Sequence, residues 1–428
     1  MLNKITAEEM SQVFSRALQH KLIQEQDTAV IFYDLSRLTA RINNLVEVFP
    51  KSALHAIAVK TNPLTAILKK INALGVGLEV ASFPELRLAE KAGFSPAQIV
   101  FDSPAKTRSE LEYALKRGIY LNADSFQELD RIAQLQAKQL SNSVIGIRIN
   151  PQVGTGHIES MSVGGEYSKF GVPLQLNRQR LIDAFLKYDW LKGVHLHIGS
   201  QGCAPQLLVN GIRTVLNFVN EINEGLQRYQ QNRRVEIIDI GGGLPVSYYK
   251  DEPAITMQAY QRLIQVSCPA LFEGDFKIIT EFGRSIYGNV GWVASRVEYV
   301  KESEHKSTAL IHVGADLFLR ECYNPNDWHH DISLVDQSGR LKQVDEKDYA
   351  IAGPLCFGGD MLEKNLRLPN IETGDYVFIH DSGANTLSLW SRHNSRQVPK
   401  VIGYYENGIQ FEILKEREDV DKLWEFWS

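Results

Sequence analysis

The sequence has no run of about 18 apolar residues, so nothing in it reads as a membrane-spanning helix. Cysteine is scarce. The four present, Cys203, Cys268, Cys322 and Cys356, are scattered without a CxxC pair or zinc spacing, and predict reduced thiols in a cytoplasmic protein. Charge of one sign is also missing: 46 Lys+Arg stand against 51 Asp+Glu, a net charge of −5 over 428 residues. Such a balance offers no broad cationic face for non-specific nucleic-acid binding. The opening stretch MLNKITAEEMSQVFSRALQHKLIQ is polar and amphipathic, without the apolar core and small-residue cleavage site of a secretory signal. There is no low-complexity linker. With 44% hydrophobic and 23% charged residues, the composition excludes a disordered, collagenous or small disulfide-stapled chain. One large domain or two unequal ones are expected.

What is present is a regular alternation of short β-branched runs and helical-period segments. The strands are expected to end near Lys60 (ALHAIAVK), Ser82 (GLEVAS), Pro104 (QIVFDSP), Ser125 (IYLNADS), Asn150 (VIGIRIN), Gly199 (GVHLHIG), Gly241 (VEIIDIG) and Arg284 (KIITEFGR). Helices such as PELRLAEKAG and SELEYALKRG open on Pro or Ser and stop at Gly. This pattern predicts an α/β chain with a (β/α)8 barrel, an open doubly wound sheet being the structural rival. The unusual residues Lys60, His197, the triplet Gly241 to Gly243, Glu281 and Arg284 all fall at strand ends. In a barrel the active site is assembled there.

After about residue 287 the helices drop out. GWVASRVEYV, TALIHVGA, DYAIAGPLC, DYVFIHDS and the hairpin VIGYYENGIQFEIL, turning at Asn407-Gly408, read as strands of a second, all-β and barrel-like domain. The expected division is 31–287 for the barrel, with 1–30 and 288–428 in the β domain. Val420, Leu423, Trp424 and Trp427 have the one-face spacing of a docked terminal helix.

Each candidate residue has a plain reading beside a chemical one. Lys60 closes an apolar strand, where desolvation could lower its pKa and suit it to Schiff-base chemistry; it could equally be a strand-end lysine reaching solvent. The glycine triplet could bring backbone N–H groups to a phosphate, or be a tight turn. Glu281 follows buried strand and needs a partner, either Arg284 or a protonated ring nitrogen. His197 stands in HLHIGSQ just before the small Gly199 and Ser200, so that a flat ring could stack on it, although a lone core histidine would look the same. His329-His330 reads as a loop pair, and no metal-ligand cluster is visible. Taken together, the lysine, histidine, carboxylate and glycines describe a pyridoxal phosphate site.

The same stretches resemble the fold-type III pyridoxal phosphate decarboxylases, the family of diaminopimelate, ornithine and arginine decarboxylases, and are most similar to the diaminopimelate branch. The matches are AVKTN, GLEVAS, RINP, YSKFG, HLHIGSQ, IDIGGGLP, EFGRSI, GPLC and DSGANTLSLWSRHNS, in the family's order over nearly the whole chain. The resemblance implies a homodimer with active sites shared across the interface and a small amino-acid substrate. It places the aldimine on Lys60 and ring stacking on His197, and sets Glu281 against the pyridine nitrogen. Ser200, Gly242, Gly243, Gly283 and Arg284 would surround the phosphate, with Arg284 also able to meet a substrate carboxylate. Cys356, supplied by the partner, would protonate the α-carbon after carbon dioxide leaves.

Three positions depart from the family pattern, all where substrate is read. Phe357 stands where an acidic residue binds the distal amino group, with Asp360 retained three residues further on. Asn385 replaces a tyrosine near the cofactor phosphate and substrate. Arg320 matches the substrate-carboxylate arginine, but Tyr323 comes one residue early. These breaks lead to the expectation of a decarboxylase for a modified or conjugated diamino acid, of the kind found among polyamine or siderophore intermediates. Decarboxylation of meso-diaminopimelate for lysine synthesis is the rival. A racemase and a non-catalytic cofactor-binding regulator are the readings from other classes. Against the regulator, Lys60, His197, Glu281 and Cys356 are all present.

Overall fold

A computed structural model describes residues 4–250, 252–304 and 306–428. The chain divides into two compact units, one of Ile42–Val246 with Ala254–Ser285, the other of the chain up to Arg41 with Ser247–Pro253 and Ile286–Ser428.

In the first unit the strands are Leu54–Ala58, Gly77–Val80, Ile99–Asp102, Tyr120–Ala123, Ile145–Asn150, Leu191–His195, Ile237–Asp239 and Lys277–Thr280. Each pairs in parallel with the next, and the ring closes where Leu54 lies opposite Ile279 and His55 opposite Thr280. That closure excludes the open doubly wound sheet and makes the unit a closed eight-stranded barrel. Local chemistry sets the helix ends between strands. Ser82 caps Phe83–Lys91 and Ser125 caps Phe126–Gln136. Thr107 and Glu110 form a capping box on Arg108–Arg117, which stops at Gly118 in the left-handed region. The 24-residue helix Pro205–Arg228 buries Leu208, Ile212, Val215, Val219 and Ile222 at spacings of three and four. Each such side chain contributes roughly 1.5–3 kcal/mol.

The barrel interior is layered by the two-residue period of its strands. Ala56, Val100, Tyr120, Ile237 and Ile279 pack as one cluster. Two residues further along the same strands stand Asp102, Asn122 and Asp239, and Glu281 follows just past the last strand. An apolar layer is thus followed by a polar one at the C-terminal ends.

The second unit is built on a mixed sheet whose strands run in the order Met361–Leu368, Lys347–Ala352, Ser307–Ile311, Gly291–Lys301, Ala29–Asp34, Lys400–Tyr405 and Gln410–Lys415. Tyr376–Ile379 pairs with both Gly291–Lys301 and Ile332–Val335. The expected barrel start at residue 31 is corrected here. Ala29–Asp34 is hydrogen-bonded on both edges within this sheet, antiparallel to Gly291–Lys301 and parallel to Lys400–Tyr405. Its core stacks Phe32 on Trp292 at 4.2 Å and 8°, with Phe14 and Phe378 against them. The unit is not purely β, since Ala7–Gln19 and Val420–Trp427 are helices. In the terminal helix only Leu423 is buried, while Trp424 is 78% and Trp427 61% exposed. Its two turns seat one side chain rather than the expected four-residue stripe.

Candidate active site

Lys60 lies in a single 3-10 turn, Val59–Thr61, just beyond the first barrel strand. Its ammonium is paired with Glu79, a fully buried residue of the second strand. The lysine side chain itself is 47% exposed, so solvent reaches it from the open end of the strands. The expectation of a desolvation-lowered lysine is corrected. Burial does weaken the charge, but Glu79 and Glu281 outweigh it and hold the ammonium above the usual lysine range. Burial in turn pushes the Glu79 carboxyl up, partly offset by Lys60. The pair therefore places a proton acceptor directly beside the amine.

His197 lies two residues past the sixth strand, and its Nδ1 accepts a hydrogen bond from the Gly242 N–H at 3.2 Å. An accepting Nδ1 puts the proton of the neutral ring on Nε2. Burial, with the charges of Arg148 and Lys60, lowers the ring's pKa to about 3, so it is neutral at ordinary pH. A neutral, oriented imidazole suits stacking on a flat cofactor ring.

Glu281 is buried, with Nε2 of His195 at 3.4 Å, while its Oε1 has no hydrogen-bond partner among the described residues. Burial opposes its charge, but His195 and then Lys60 hold the carboxyl well below the usual range. An ionised carboxylate with one oxygen unspent fits a protonated ring nitrogen.

The glycines build the remaining wall. Gly243 has φ +98°, and a Cβ there would strike the Gly199 carbonyl, while a Cβ on Gly242 would strike the Glu281 carbonyl. A Cβ on Gly283 would meet the Thr61 hydroxyl. The turns after the sixth, seventh and eighth strands therefore approach backbone to backbone, and the last also closes on the Thr61 side chain after the first, as only glycine permits. Nε of Arg284 donates to Oγ of Ser200 at 3.1 Å, bringing these two expected phosphate ligands together. The barrel residues Lys60, His197, Ser200, Gly242, Gly243, Glu281, Gly283 and Arg284 thus fit pyridoxal phosphate. The glycine turns and the orphaned Glu281 oxygen leave both a cradle and a partner for it.

The other expected residues belong to the mixed-sheet unit. Cys356 is exposed in the turn between Lys347–Ala352 and Met361–Leu368, where its N–H donates to Oδ1 of Asn394 at 2.8 Å. The ring of Phe357 stacks on Tyr323, with centroids 5.1 Å apart and an interplanar angle of 17°. The tyrosine that comes one residue early therefore meets the phenylalanine that replaces the acid. Arg320 holds its guanidinium 4.7 Å above the Trp328 ring. Asn385 is half-buried at φ +54°, a left-handed conformation that asparagine tolerates. The substrate role expected for Asp360 is corrected. It is 3% exposed, and its carboxylate accepts the N–H groups of Ala315 at 2.5 Å and Leu355 at 2.6 Å. Those bonds commit it to bracing the loops around Cys356. The His329-His330 pair is likewise accounted for by salt bridges. His329 lies between Asp331 and Glu363, and His330 between Glu321 and the His380 carbonyl.

Sequence reasoning passed over Glu79, Asp102, Arg148, His195 and Asp239, all buried in the barrel. Arg148 pairs with Asp102 at 3.3 Å. Burial and the neighbouring Glu281 push the Asp239 carboxyl far up, while it accepts from the Gly241 N–H at 3.0 Å and from Asn122 at 3.2 Å. Their signal was an ionisable residue inside an otherwise apolar strand run, within GLEVAS, QIVFDSP, VIGIRIN, GVHLHIG and VEIIDIG.

Residues 35–288 match the family model described as "Pyridoxal-dependent decarboxylase, pyridoxal binding domain". The diaminopimelate decarboxylase of Helicobacter pylori is 31% identical over 416 residues, covering 94% of this chain and 96% of that protein. That of Aquifex aeolicus is also 31% identical, over 408 residues, 94% of this chain and 92% of the relative. The crystal structure of the Helicobacter pylori enzyme complexed with L-lysine superposes with a TM-score of 0.83 at 29% identity, covering 96% of this chain and 99% of that one. Among the described residues, no helix is long and apolar enough to cross a membrane. The chain belongs to the pyridoxal-dependent decarboxylases, with pyridoxal phosphate as its cofactor, and within them it is most similar to diaminopimelate decarboxylases.

Proposed function

We propose that the chain removes one carboxyl group from meso-diaminopimelate, working as a homodimer in which each copy supplies Cys356 to its partner's barrel. The observation that carries this is the extent of the likeness: diaminopimelate decarboxylases align over 94% of the chain, and one of them is seen with L-lysine, the compound that loss of carbon dioxide from diaminopimelate leaves. When bound, pyridoxal phosphate supplies an electron sink conjugated with the substrate's α-carbon. The protein's own groups do the rest. Lys60 offers its amine, and Glu79 takes the proton that the ammonium must lose. His197 supports the ring's face, and Glu281 keeps a proton on the ring nitrogen. Ser200, Gly242, Gly243, Gly283, Arg284 and Asn385 hold the phosphate. Arg284 and Arg320 clamp substrate carboxylates. Carbon dioxide leaves with cleavage of the bond to the α-carbon, and Sγ of Cys356 returns a proton to that carbon.

A second substrate reading rests on the Phe357–Tyr323 stack. An apolar aromatic wall in place of a carboxylate favours a substrate whose far end is a conjugated group rather than a free ammonium. Carbon dioxide release by the cofactor-loaded protein decides between the two. Turnover of meso-diaminopimelate, abolished in Lys60→Ala, supports the first. Silence toward meso-diaminopimelate and ornithine, with a 10–100-fold or larger gain on meso-diaminopimelate in Phe357→Glu, about what one charge-assisted hydrogen bond provides, supports the second.

A further inference from the structure

The barrel interior concentrates carboxyl groups. Glu79, Asp102, Asp239 and Glu281 are all buried there, drawn from the ends of four different strands. Lys60 answers Glu79, and Arg148 answers Asp102. Glu281 has its own cation. His195 is 0% exposed, with Nε2 at 3.4 Å from Glu281 and Nδ1 at 3.7 Å from Asp102. Neither ring nitrogen has a hydrogen-bond partner among the described residues. An imidazole with a carboxylate near each nitrogen and no competing hydrogen bond is suited to carry two protons.

We propose that His195 is a positioning residue of the decarboxylase: as a buried imidazolium joining Asp102 to Glu281, it keeps the Glu281 carboxylate charged and aimed at the cofactor's ring nitrogen. The proposal rests on the assignment of Glu281 to that nitrogen. The groups facing His195 are Asp102 from the third strand, Asp239 from the seventh and Glu281 after the eighth, with the neutral His197 two residues further along the chain, past the strand's end. The three carboxyl groups favour the charged ring and together override burial, raising its pKa to about 9. Burial and the adjacent Glu281 push the Asp239 carboxyl far up, which leaves Asp102 and Glu281 as the main partners of the charged ring. Were His195 neutral, Glu281 would be left beside Asp239 with only the weaker pull of Lys60 as countercharge. The lower-energy state would then be a protonated Glu281, a poor partner for a pyridinium.

The test begins with the cofactor-free full chain carrying isotope-labelled histidine. His195 is expected to show both ring nitrogens protonated above pH 8, with its titration lowered by about one unit or more in Glu281→Gln. Titration near the ordinary histidine value, or no response to Glu281→Gln, overturns the proposal. The loaded protein, prepared with pyridoxal phosphate labelled at the ring nitrogen, gives the second readout. His195→Gln is expected to move that nitrogen toward its neutral chemical shift, as Glu281→Gln does. Should His195→Gln fail to fold, Asp102→Asn takes its place, with a smaller shift in the same direction. A ring nitrogen that responds to Glu281→Gln but to neither of the others overturns the role of His195. One that ignores all three overturns the assignment of Glu281 and the proposal with it.

Discussion

Asp360 and Phe357 stand in one turn beside Cys356, and burial separates what they do. Asp360 holds two backbone N–H groups in a buried loop. Asp360→Asn removes the charge from both bonds and turns an amide toward donors. It should therefore cost about 2–4 kcal/mol, read as a lower melting temperature in the cofactor-free protein. Phe357 is half-buried and stacks on the exposed ring of Tyr323, so its replacement should lower the melting temperature less than Asp360→Asn and act on substrate choice. The sequence could place both residues in the motif but not tell the brace from the wall. That distinction depends on Ala315 and its neighbours folding onto Asp360 from 45 residues away. Lys60, His197 and Glu281 were legible because each breaks an apolar run at a strand end. The charge on Lys60 was not, since Glu79 comes from the next strand and reverses the effect of burial.

At the scale of single elements, the strand-to-helix turns hold the residues proposed to meet the cofactor. Gly118 and Gly243 show how two left-handed glycines can differ. Gly118 ends the helix Arg108–Arg117 at φ +72° with nothing near the missing Cβ. Gly243 has φ +98° with the Gly199 carbonyl in the way. Gly118→Ala should cost only about 1 kcal/mol, the penalty of the left-handed backbone. Gly243→Ala should cost more than twice that and weaken pyridoxal phosphate binding at least 10-fold, measured by cofactor dissociation alongside thermal unfolding. The caps and strand ends that frame such turns were readable from Ser, Thr, Pro and Gly. The membership of AVIFYD was not, because a strand buried on both faces has the same composition in a barrel and in the middle of a mixed sheet.

Over the whole molecule, four histidines give stability a maximum in pH. Burial lowers His55 to about 4, and burial with nearby cations lowers His197 to about 3, from 6.5. The unfolded chain binds protons at these sites first, so stability falls as pH drops below about 6.5 toward those values. His195, held at about 9 by carboxylates that override its burial, and His329, held at about 9 by its bonds to Asp331 and Glu363, act in the opposite sense. Their stabilisation is fully present below about 6.5 and is lost as pH rises through 9. Melting temperature against pH should therefore peak near neutrality, and His195→Gln should flatten the alkaline limb while sparing the share owed to His329. The barrel and its companion sheet were legible from the point where helices stop alternating with strands, whereas the ionisation pattern depends on side chains that only the closed ring brings together.

The seam of that ring has one more consequence. Lys60 follows the first barrel strand and Glu281 the last, and these two strands lie side by side where Leu54 meets Ile279. The amine and the carboxylate proposed to hold the cofactor are therefore distant along the polypeptide and neighbours only across the final join. A nascent chain that has assembled the first seven strands possesses the lysine but not its counterpart. On the proposed assignment, tight retention of the cofactor becomes a proofreading signal, granted only to molecules whose first and last barrel strands have found each other.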